Sequence, residues 1–183
     1  MPEKQKQWFK ELMMTSINYF EFGSGGSTVY ASNHCQNVYS IESDKSWYEN
    51  VVQNTNKTKC NVQCIHVDIE TKPNNWGYPG DNCSNDKKRL YSNMFTSITN
   101  YDKVDTILID GRFRVACALN ILPYINSDTR VLFDDFLNRQ HQYKIVLDYY
   151  NIVKSVDNMV LLQKKDNIYL DNNIVTHYEL IAQ

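Results

Sequence analysis

The sequence predicts an α/β domain built on one mainly parallel sheet, and three observations support this prediction. Five short apolar segments with the character of strands alternate with segments of helical periodicity. A glycine-rich turn, Gly23 to Gly26, follows the first of these strands. Two further strands, joined by a polar and Asn-rich region, are expected to close the chain as an antiparallel pair. Alternation of this kind is typical of a sheet covered by helices on both faces.

Length and composition favour one domain over residues 1–183. The chain is 42% hydrophobic, which is enough for a full core. Nineteen basic and 21 acidic residues give a net charge of −2 without a dense basic run, so we expect no nucleic-acid partner. The polar amino terminus and the lack of long apolar stretches predict a cytoplasmic protein without a membrane partner. Five cysteines without a Cys-x-x-Cys pair are expected to be reduced thiols.

The elements can be placed in order along the chain. An amphipathic helix is predicted within residues 1–18, at 8–16, and the first strand begins at Tyr19. The later strands are predicted at 37–42, 62–68, 104–110, 130–135, 159–163 and 176–181. The later helices are predicted at 28–32, 44–54, 90–98, 115–125 and 140–154. Residues 72–89, rich in Pro, Asn, Gly and Asp, predict a long loop over the site.

The turn after the first strand predicts a nucleotide-type binding site. Glycines allow close backbone approach to a ligand, and the helix that follows presents unpaired N–H groups. The second strand ends on Glu42. The spacing from Gly23 to Glu42 is close to the roughly 20 residues that separate the glycine turn from the ribose-binding carboxylate in dinucleotide-binding folds. The alternative is a structural turn with a capping carboxylate.

From Tyr19 onward the chain resembles the class I S-adenosylmethionine-dependent methyltransferases. The segment 21–27, Glu-Phe-Gly-Ser-Gly-Gly-Ser, is similar to their first motif, with Ser27 in place of the last glycine. The resemblance implies a Rossmann-like methyltransferase fold with a mainly parallel seven-stranded sheet and a C-terminal antiparallel strand. It implies S-adenosylmethionine as cofactor, with Glu21 at its ammonium and Glu42 at its ribose. The cofactor-binding residues expected are Glu21, Gly23, Ser24, Gly25, Ser27, Thr28, Glu42, Ser43, Asp68 and Asp110.

A narrower resemblance concerns acids at two later strand ends. Asp110-Gly111 and Asp134-Asp135-Phe136 are similar to segments of sugar O-methyltransferases that hold a divalent metal with one acid from strand four and a pair from strand five. This implies Mg²⁺ or Mn²⁺ held by Asp110, Asp134 and Asp135, where it would lower the pKa of a sugar hydroxyl. Arg112 departs from the acid that several of these enzymes carry there.

The acceptor side is predicted from the same strand ends. Asp110, Asp135 and His141 are the candidate catalytic groups, with His141 as a general base near neutral pH. Trp76 and Tyr78 either stack on a sugar ring or anchor the long loop to the core. The candidate substrate-binding residues are Arg112, Arg114, Arg139, Trp76 and Tyr78.

The leading hypothesis is therefore an O-methyltransferase acting on a sugar hydroxyl of a glycan. Segments around Arg112 and Arg139 also resemble glycan-modifying domains of large algal-virus proteins, which implies a viral protein fused to or working with glycosyltransferases. One rival is an NAD-dependent oxidoreductase, although Thr28 stands where the dinucleotide pattern has its third glycine. Another is a non-catalytic cofactor-binding domain that supports a glycosyltransferase.

Overall fold

The computed structural model describes residues 1–72, 75–98 and 100–183. Its centre is a seven-stranded sheet in the order β3-β2-β1-β4-β5-β7-β6. The strands are β1 Asn18–Phe22, β2 Asn37–Glu42, β3 Asn61–His66, β4 Thr106–Ile109, β5 Arg130–Phe133, β6 Tyr150–Val156 and β7 Met159–Lys164. Strands β1 to β5 are mutually parallel, whereas β7 runs antiparallel to both β5 and β6.

Helices cover both faces of the sheet. They are α1 Glu3–Met13, α2 Gly26–Ala31, α3 Lys45–Thr55, α4 Asn85–Ser92, α5 Arg114–Ile121, α6 Gln140–Tyr143 and α7 Asn172–Tyr178. One core layer contains Trp8 and Phe9 of α1 against Tyr19 and Leu108 of the sheet. The other contains Phe20 and the apolar side chains of α5. Because β1 and β4 are covered on both faces, their residues are almost continuously buried. Among the described residues, no helix is long and apolar enough to cross a membrane.

The amino ends of the parallel strands are aligned by side chains. Asn18, Asn37 and Asn61 lie in register on β1, β2 and β3. The amide of Asn37 donates to Asn18 Oδ1 at 2.7 Å, and that of Asn61 donates to Asn37 Oδ1 at 3.2 Å. Asp105, just before β4, accepts from the backbone N–H groups of Ile17 and Asn18 at 2.8 and 2.7 Å. These bonds fix the register of the strands. The carboxyl ends of the same strands therefore lie side by side at the other end of the sheet.

The central elements agree with the sequence-based predictions to within a few residues, but the helix predicted at 90–98 starts earlier. Helix α4 begins at Asn85 because the Ser84 hydroxyl accepts from the N–H of Lys87. A short 3₁₀ helix, Met94–Ser97, replaces its predicted second half. The predicted loop 72–89 therefore ends at Ser84, and its positions 73 and 74 lie outside the described residues.

The C-terminal prediction is wrong in two places. The helix predicted at 140–154 stops after α6 and the 3₁₀ turn Lys144–Asp148, and β6 takes its second half. Strand β6 is a solvated edge strand, which lacks the regular apolar alternation of a half-buried strand. The strand predicted at 176–181 overlaps α7, which begins where Asp171 accepts from the N–H of Asn173. The closing antiparallel pair is therefore β6 with β7.

Candidate functional site

A cavity of about 1160 Å³ opens at the carboxyl ends of β1, β2, β4 and β5. Open parallel sheets bind ligands at this edge, where the strand order reverses on either side of β1. At the strand ends it is lined by Gly23, Ser24, Gly25, Gly26, Ser27, Glu42, Ser43, Asp110, Gly111, Arg112, Asp134 and Asp135. The structure thus brings together most of the residues that the sequence identified as a site.

Two glycines form the floor of the cavity. Gly23 has φ +93°, and a Cβ placed on it would lie 2.7 Å from the Cα of Gly111. A Cβ on Gly111 would lie 2.1 Å from the hydroxyl oxygen of Tyr91. Bare backbone is therefore required where β1 and β4 end side by side. The sequence analysis named Gly111 only as part of the strand-four motif and missed Tyr91, and the packing of the two against each other is visible only in the structure.

Glu42 is held in place by main-chain groups at the edge of the cavity. Its Oε2 accepts from the N–H of Ser24 at 2.9 Å, and its Oε1 accepts from the N–H groups of Ser43 and Asp44 at 2.7 and 2.8 Å. The residue is 6% exposed, and burial raises its pKa against the lowering effect of these hydrogen bonds. Since a carboxylate has about four acceptor positions, this one keeps the capacity to accept from a ligand hydroxyl.

Glu21 lies behind the glycine turn and does not line the cavity. Its carboxyl accepts from Tyr19 Oη at 2.8 Å, from Ser27 Oγ at 2.6 Å and from the Thr28 hydroxyl. Thr28 Oγ1 in turn accepts from the N–H of Gly25 at 2.8 Å. The predicted direct contact of Glu21 with a cofactor ammonium is not formed by this geometry, because hydroxyl groups occupy its carboxyl. Glu21 instead fixes the turn from below.

Thr28, which is fully buried, also does not line the cavity. Two further predicted residues lie away from it. Asp68 is exposed, accepts from the N–H of Glu70 at 2.8 Å and pairs with Lys87 at 3.3 Å. Its pKa is lowered by the Glu70 hydrogen bond and then by Lys87. His141 is exposed on α6, where its Nε2 lies 3.3 Å from the amide nitrogen of Gln142. Neither side chain lines the site, so the geometry gives no direct role there to Asp68 or His141.

The acids at the ends of β4 and β5 surround the guanidinium of Arg114. Arg114 Nη2 lies 3.0 Å from Asp110 Oδ1, and Nη1 lies 3.4 Å from Asp135 Oδ2. Arg139 reaches the same Asp135 oxygen at 3.2 Å. Arg114 lines the cavity, but its guanidinium is engaged by these acids, so a direct contact of Arg114 with substrate stays a prediction.

The predicted metal centre is not formed by these acids. Among residues 1–72, 75–98 and 100–183, no group of three His, Cys, Asp or Glu side chains is placed to hold a metal ion. The physical reason is that a guanidinium already pairs with Asp110 and Asp135. Burial raises the pKa of Asp110 to about 6, with Arg114 opposing the rise and Asp134 and Asp135 adding to it.

A second arginine faces the cavity from the other side. Arg112 is 9% exposed, and its guanidinium carbon lies 4.4 Å from the centroid of the Tyr78 ring. The Gly77 carbonyl accepts from Ser43 Oγ at 3.1 Å, which ties the loop to the end of β2. Trp76, at the rim, is 88% exposed and has φ +52°. The structure thus brings Arg112, Tyr78 and Trp76 to the cavity, while Arg139 lies at its β5 side.

The sequence reasoning also missed a wall formed by helices. Lys6, Phe9 and Lys10 of α1 line the cavity beside Tyr30 of α2. Trp47 of α3 lines it too and donates its indole N–H to the carbonyl of Ser24 at 2.5 Å. The available signal was the polar side of α1, since its charged residues recur opposite the apolar stripe.

The fold matches solved structures over nearly the whole chain. A methyltransferase-like protein (spo2022) from Silicibacter pomeroyi DSS-3 superposes with a TM-score of 0.85 at 24% identity, covering 100% of this chain and 96% of that chain. An rRNA methylase from Streptococcus thermophilus gives a TM-score of 0.57 at 9% identity, covering 90% and 96%. The N-methyltransferase NodS from Bradyrhizobium japonicum WM9, in complex with S-adenosyl-L-homocysteine, gives 0.52 at 11% identity, covering 90% and 89%. No family model and no curated protein matches the chain.

These likenesses define the class of fold. The chain has the α/β, Rossmann-like fold of the class I methyltransferases, with a seven-stranded mixed sheet and a C-terminal antiparallel hairpin, and the predicted fold is confirmed. The sugar acceptor and the viral origin expected from the sequence find no support in these likenesses.

Proposed function

We propose that this chain is an S-adenosylmethionine-dependent methyltransferase. The observation that carries the proposal is Glu42, whose carboxylate is oriented by three main-chain N–H groups at the edge of a cavity bordered by the glycine turn. A fixed carboxylate at the end of the second strand, with one acceptor position left, suits a hydroxyl of a ribose. The likeness to NodS, a structure that contains S-adenosyl-L-homocysteine, supports the same class of ligand.

The residues around the cavity suit the rest of such a cofactor. Gly25 and Gly26 expose main chain, and the cavity floor at Gly23 and Gly111 has no side chain. Asp110 faces the cavity and takes the place that the sequence gave to Glu21, next to the ammonium of the methionine part. The cofactor supplies a methyl group on a sulfonium, so the main task of the chain is to align donor and acceptor.

The acceptor that we propose is a sugar hydroxyl of a glycan, with methylation on oxygen. Support comes from the sequence resemblance at the ends of β4 and β5 and from the polar and aromatic walls, which include Tyr78 and Arg139. Sugars bind to stacked aromatic rings and to charged hydrogen-bonding groups. Cooperation with a glycosyltransferase remains part of this proposal.

Asp134 is the group that we assign to accept the hydroxyl proton. It is 6% exposed and lines the cavity, and its carboxylate accepts no hydrogen bond from a side chain of the described residues. Asp110 and Asp135 are each paired with arginine, and His141 lies outside the cavity. Burial, followed by the charge of Asp135, raises the pKa of Asp134, which favours proton uptake.

Calorimetric titration with S-adenosyl-L-homocysteine tests the proposal. We expect one site on the wild-type chain and a loss of roughly 30- to 150-fold in affinity for Glu42→Ala, because hydrogen bonds to a charged group contribute about 2 to 3 kcal/mol. The control is Glu49→Ala, since Glu49 is exposed on α3 and lies outside the cavity. Absence of binding to the wild type would contradict the proposal, and binding of NADH in its place would favour the oxidoreductase.

A further inference from the structure

The guanidinium of Arg114 uses all of its hydrogen-bonding capacity inside the protein. Arginine has five N–H donors, and Arg114 makes five hydrogen bonds. Three go to main-chain oxygens: Nε to Gly111 at 2.9 Å, Nη1 to Asp134 at 2.7 Å and Nη2 to Asp110 at 3.0 Å. Two go to the carboxylates of Asp110 and Asp135, at 3.0 and 3.4 Å. The side chain is 3% exposed, so these bonds are shielded from water.

These contacts join two strand ends where the main-chain ladder stops, because its last bond runs from the N–H of Asp134 to the carbonyl of Ile109 at 3.1 Å. The β4 and β5 register ends at Ile109 and Phe133, and the next residues are the ones that Arg114 contacts. Asp135 has φ +59°, so the chain turns sharply just after β5. A planar guanidinium with donors on both sides can bridge the two diverging segments.

The charges around this point are nearly balanced within the protein. Arg114 pairs with Asp110 and Asp135, and Arg139 pairs with Asp135. Asp134 is the remaining acid, and it faces the cavity. A divalent cation held by Asp110 and Asp135 would share their carboxylates with Arg114, and it would be repelled by the buried guanidinium.

We propose that Arg114 is a built-in cation at the ends of β4 and β5, which positions Asp110 and Asp135 and excludes a divalent metal ion from the acids around it. Arg114 is a positioning residue: it lines the cavity, but all five of its donors are used within the protein, and it leaves Asp134 as the open carboxylate. The function of this centre in methyl transfer rests on the proposed function, whereas the exclusion of metal by Arg114 does not.

The test is Mn²⁺ binding, measured by the loss of the electron paramagnetic resonance signal of free Mn²⁺. The wild type should bind no Mn²⁺ at this site up to about millimolar concentration, within the weak end of protein metal affinities. Arg114→Met, which keeps the bulk but removes the charge, should bind Mn²⁺ at least tenfold more tightly than the wild type. Arg114→Lys should restore exclusion, because the charge returns. Arg114→Met with Asp134→Asn should lose the gained site.

Two results would overturn the inference. One is Mn²⁺ binding by the wild type that Asp135→Asn abolishes, a measurement that does not depend on folding of any Arg114 variant. The other is a folded Arg114→Met chain that gains no Mn²⁺ site. Titration of the wild type with S-adenosyl-L-homocysteine keeps the two proposals distinct. If the cofactor product does not bind but the Mn²⁺ results are as expected, the proposed methyltransferase function is refuted, whereas the exclusion of metal by Arg114 still holds.

Discussion

At the scale of single residues, Glu21 is a buried acid whose pKa sets a pH dependence of folding. Burial raises the pKa of Glu21 from 4.5 to about 8, against the lowering effect of hydrogen bonds from Ser27, Thr28 and Tyr19. Between these two values the folded chain keeps a proton that the unfolded chain has released. The contribution of Glu21 to stability is therefore present at low pH and is lost as the pH rises through this window.

Glu21→Gln should remove this pH dependence, because the amide is neutral at every pH. We expect the melting temperature of the wild type to fall more steeply between about pH 5 and 8 than that of the variant. Thermal unfolding followed by circular dichroism at several pH values measures the difference in slope. Parallel slopes for the two proteins would show that Glu21 is ionised in the folded chain at neutral pH.

The glycines of the site also allow a matched comparison. A Cβ at Gly26 meets no atom within 4 Å, whereas a Cβ at Gly111 would meet Tyr91 Oη at 2.1 Å. Gly26→Ala should leave the free energy of unfolding unchanged or raise it, and Gly111→Ala should reduce it by about 1 to 3 kcal/mol through overpacking. Urea unfolding measures both, and equal stability of the two variants would contradict the packing described at the floor.

At the scale of elements, Asp105 connects the amino ends of β1, β4 and β5. It accepts from the N–H groups of Ile17 and Asn18 and from the guanidinium of Arg130 at 3.1 Å. Asp105→Asn turns one acceptor into a donor that faces these groups, and we expect a loss of about 2 kcal/mol in the free energy of unfolding. The control is Asp102→Asn, an exposed position in the preceding 3₁₀ turn, Tyr101–Lys103. Equal urea midpoints for both variants would contradict the connecting role.

Some elements could be predicted from the sequence, and others could not. Strands β1, β4 and β5 are mostly apolar, β3 alternates between polar and apolar residues, and glycines or acids follow the strands, so local patterns identified them. Strand β6 lies at an edge, where pairing with β7 decides its conformation and side-chain alternation is weak. Helix α7 is a seven-residue segment whose few apolar residues fit either periodicity. Both errors arise where tertiary contacts outweigh local preference.

The site divides in a similar way. The glycine turn and Glu42 belong to contiguous strand-turn-helix segments, whose chemistry is visible in the sequence. The position of Arg114 among Asp110 and Asp135 depends on how two strands and a helix come together, and spacing alone does not contain it. Likewise, whether Glu21 faces the ligand or the core depends on the hydroxyls of Tyr19 and α2.

At the scale of the whole molecule, the carboxyl ends of the parallel strands form the binding site, and their amino ends contribute to stability. The amino ends are tied by the Asn18 to Asn61 ladder and by Asp105, and the carboxyl ends surround the cavity. The loop residues Gly77 and Tyr78 reach over that cavity to Ser43 and Arg112. A rigid base under an open binding edge is the arrangement that a positioning catalyst needs.

The most direct measurement is a crystal structure of the chain with S-adenosyl-L-homocysteine. We predict that a ribose hydroxyl lies within hydrogen-bonding distance of Glu42 Oε2 and that the methionine part lies over Gly23 and Gly111. A ligand bound elsewhere, or a ribose that leaves Glu42 without a contact, would contradict the central claim that this carboxylate and the glycine turn form the cofactor site.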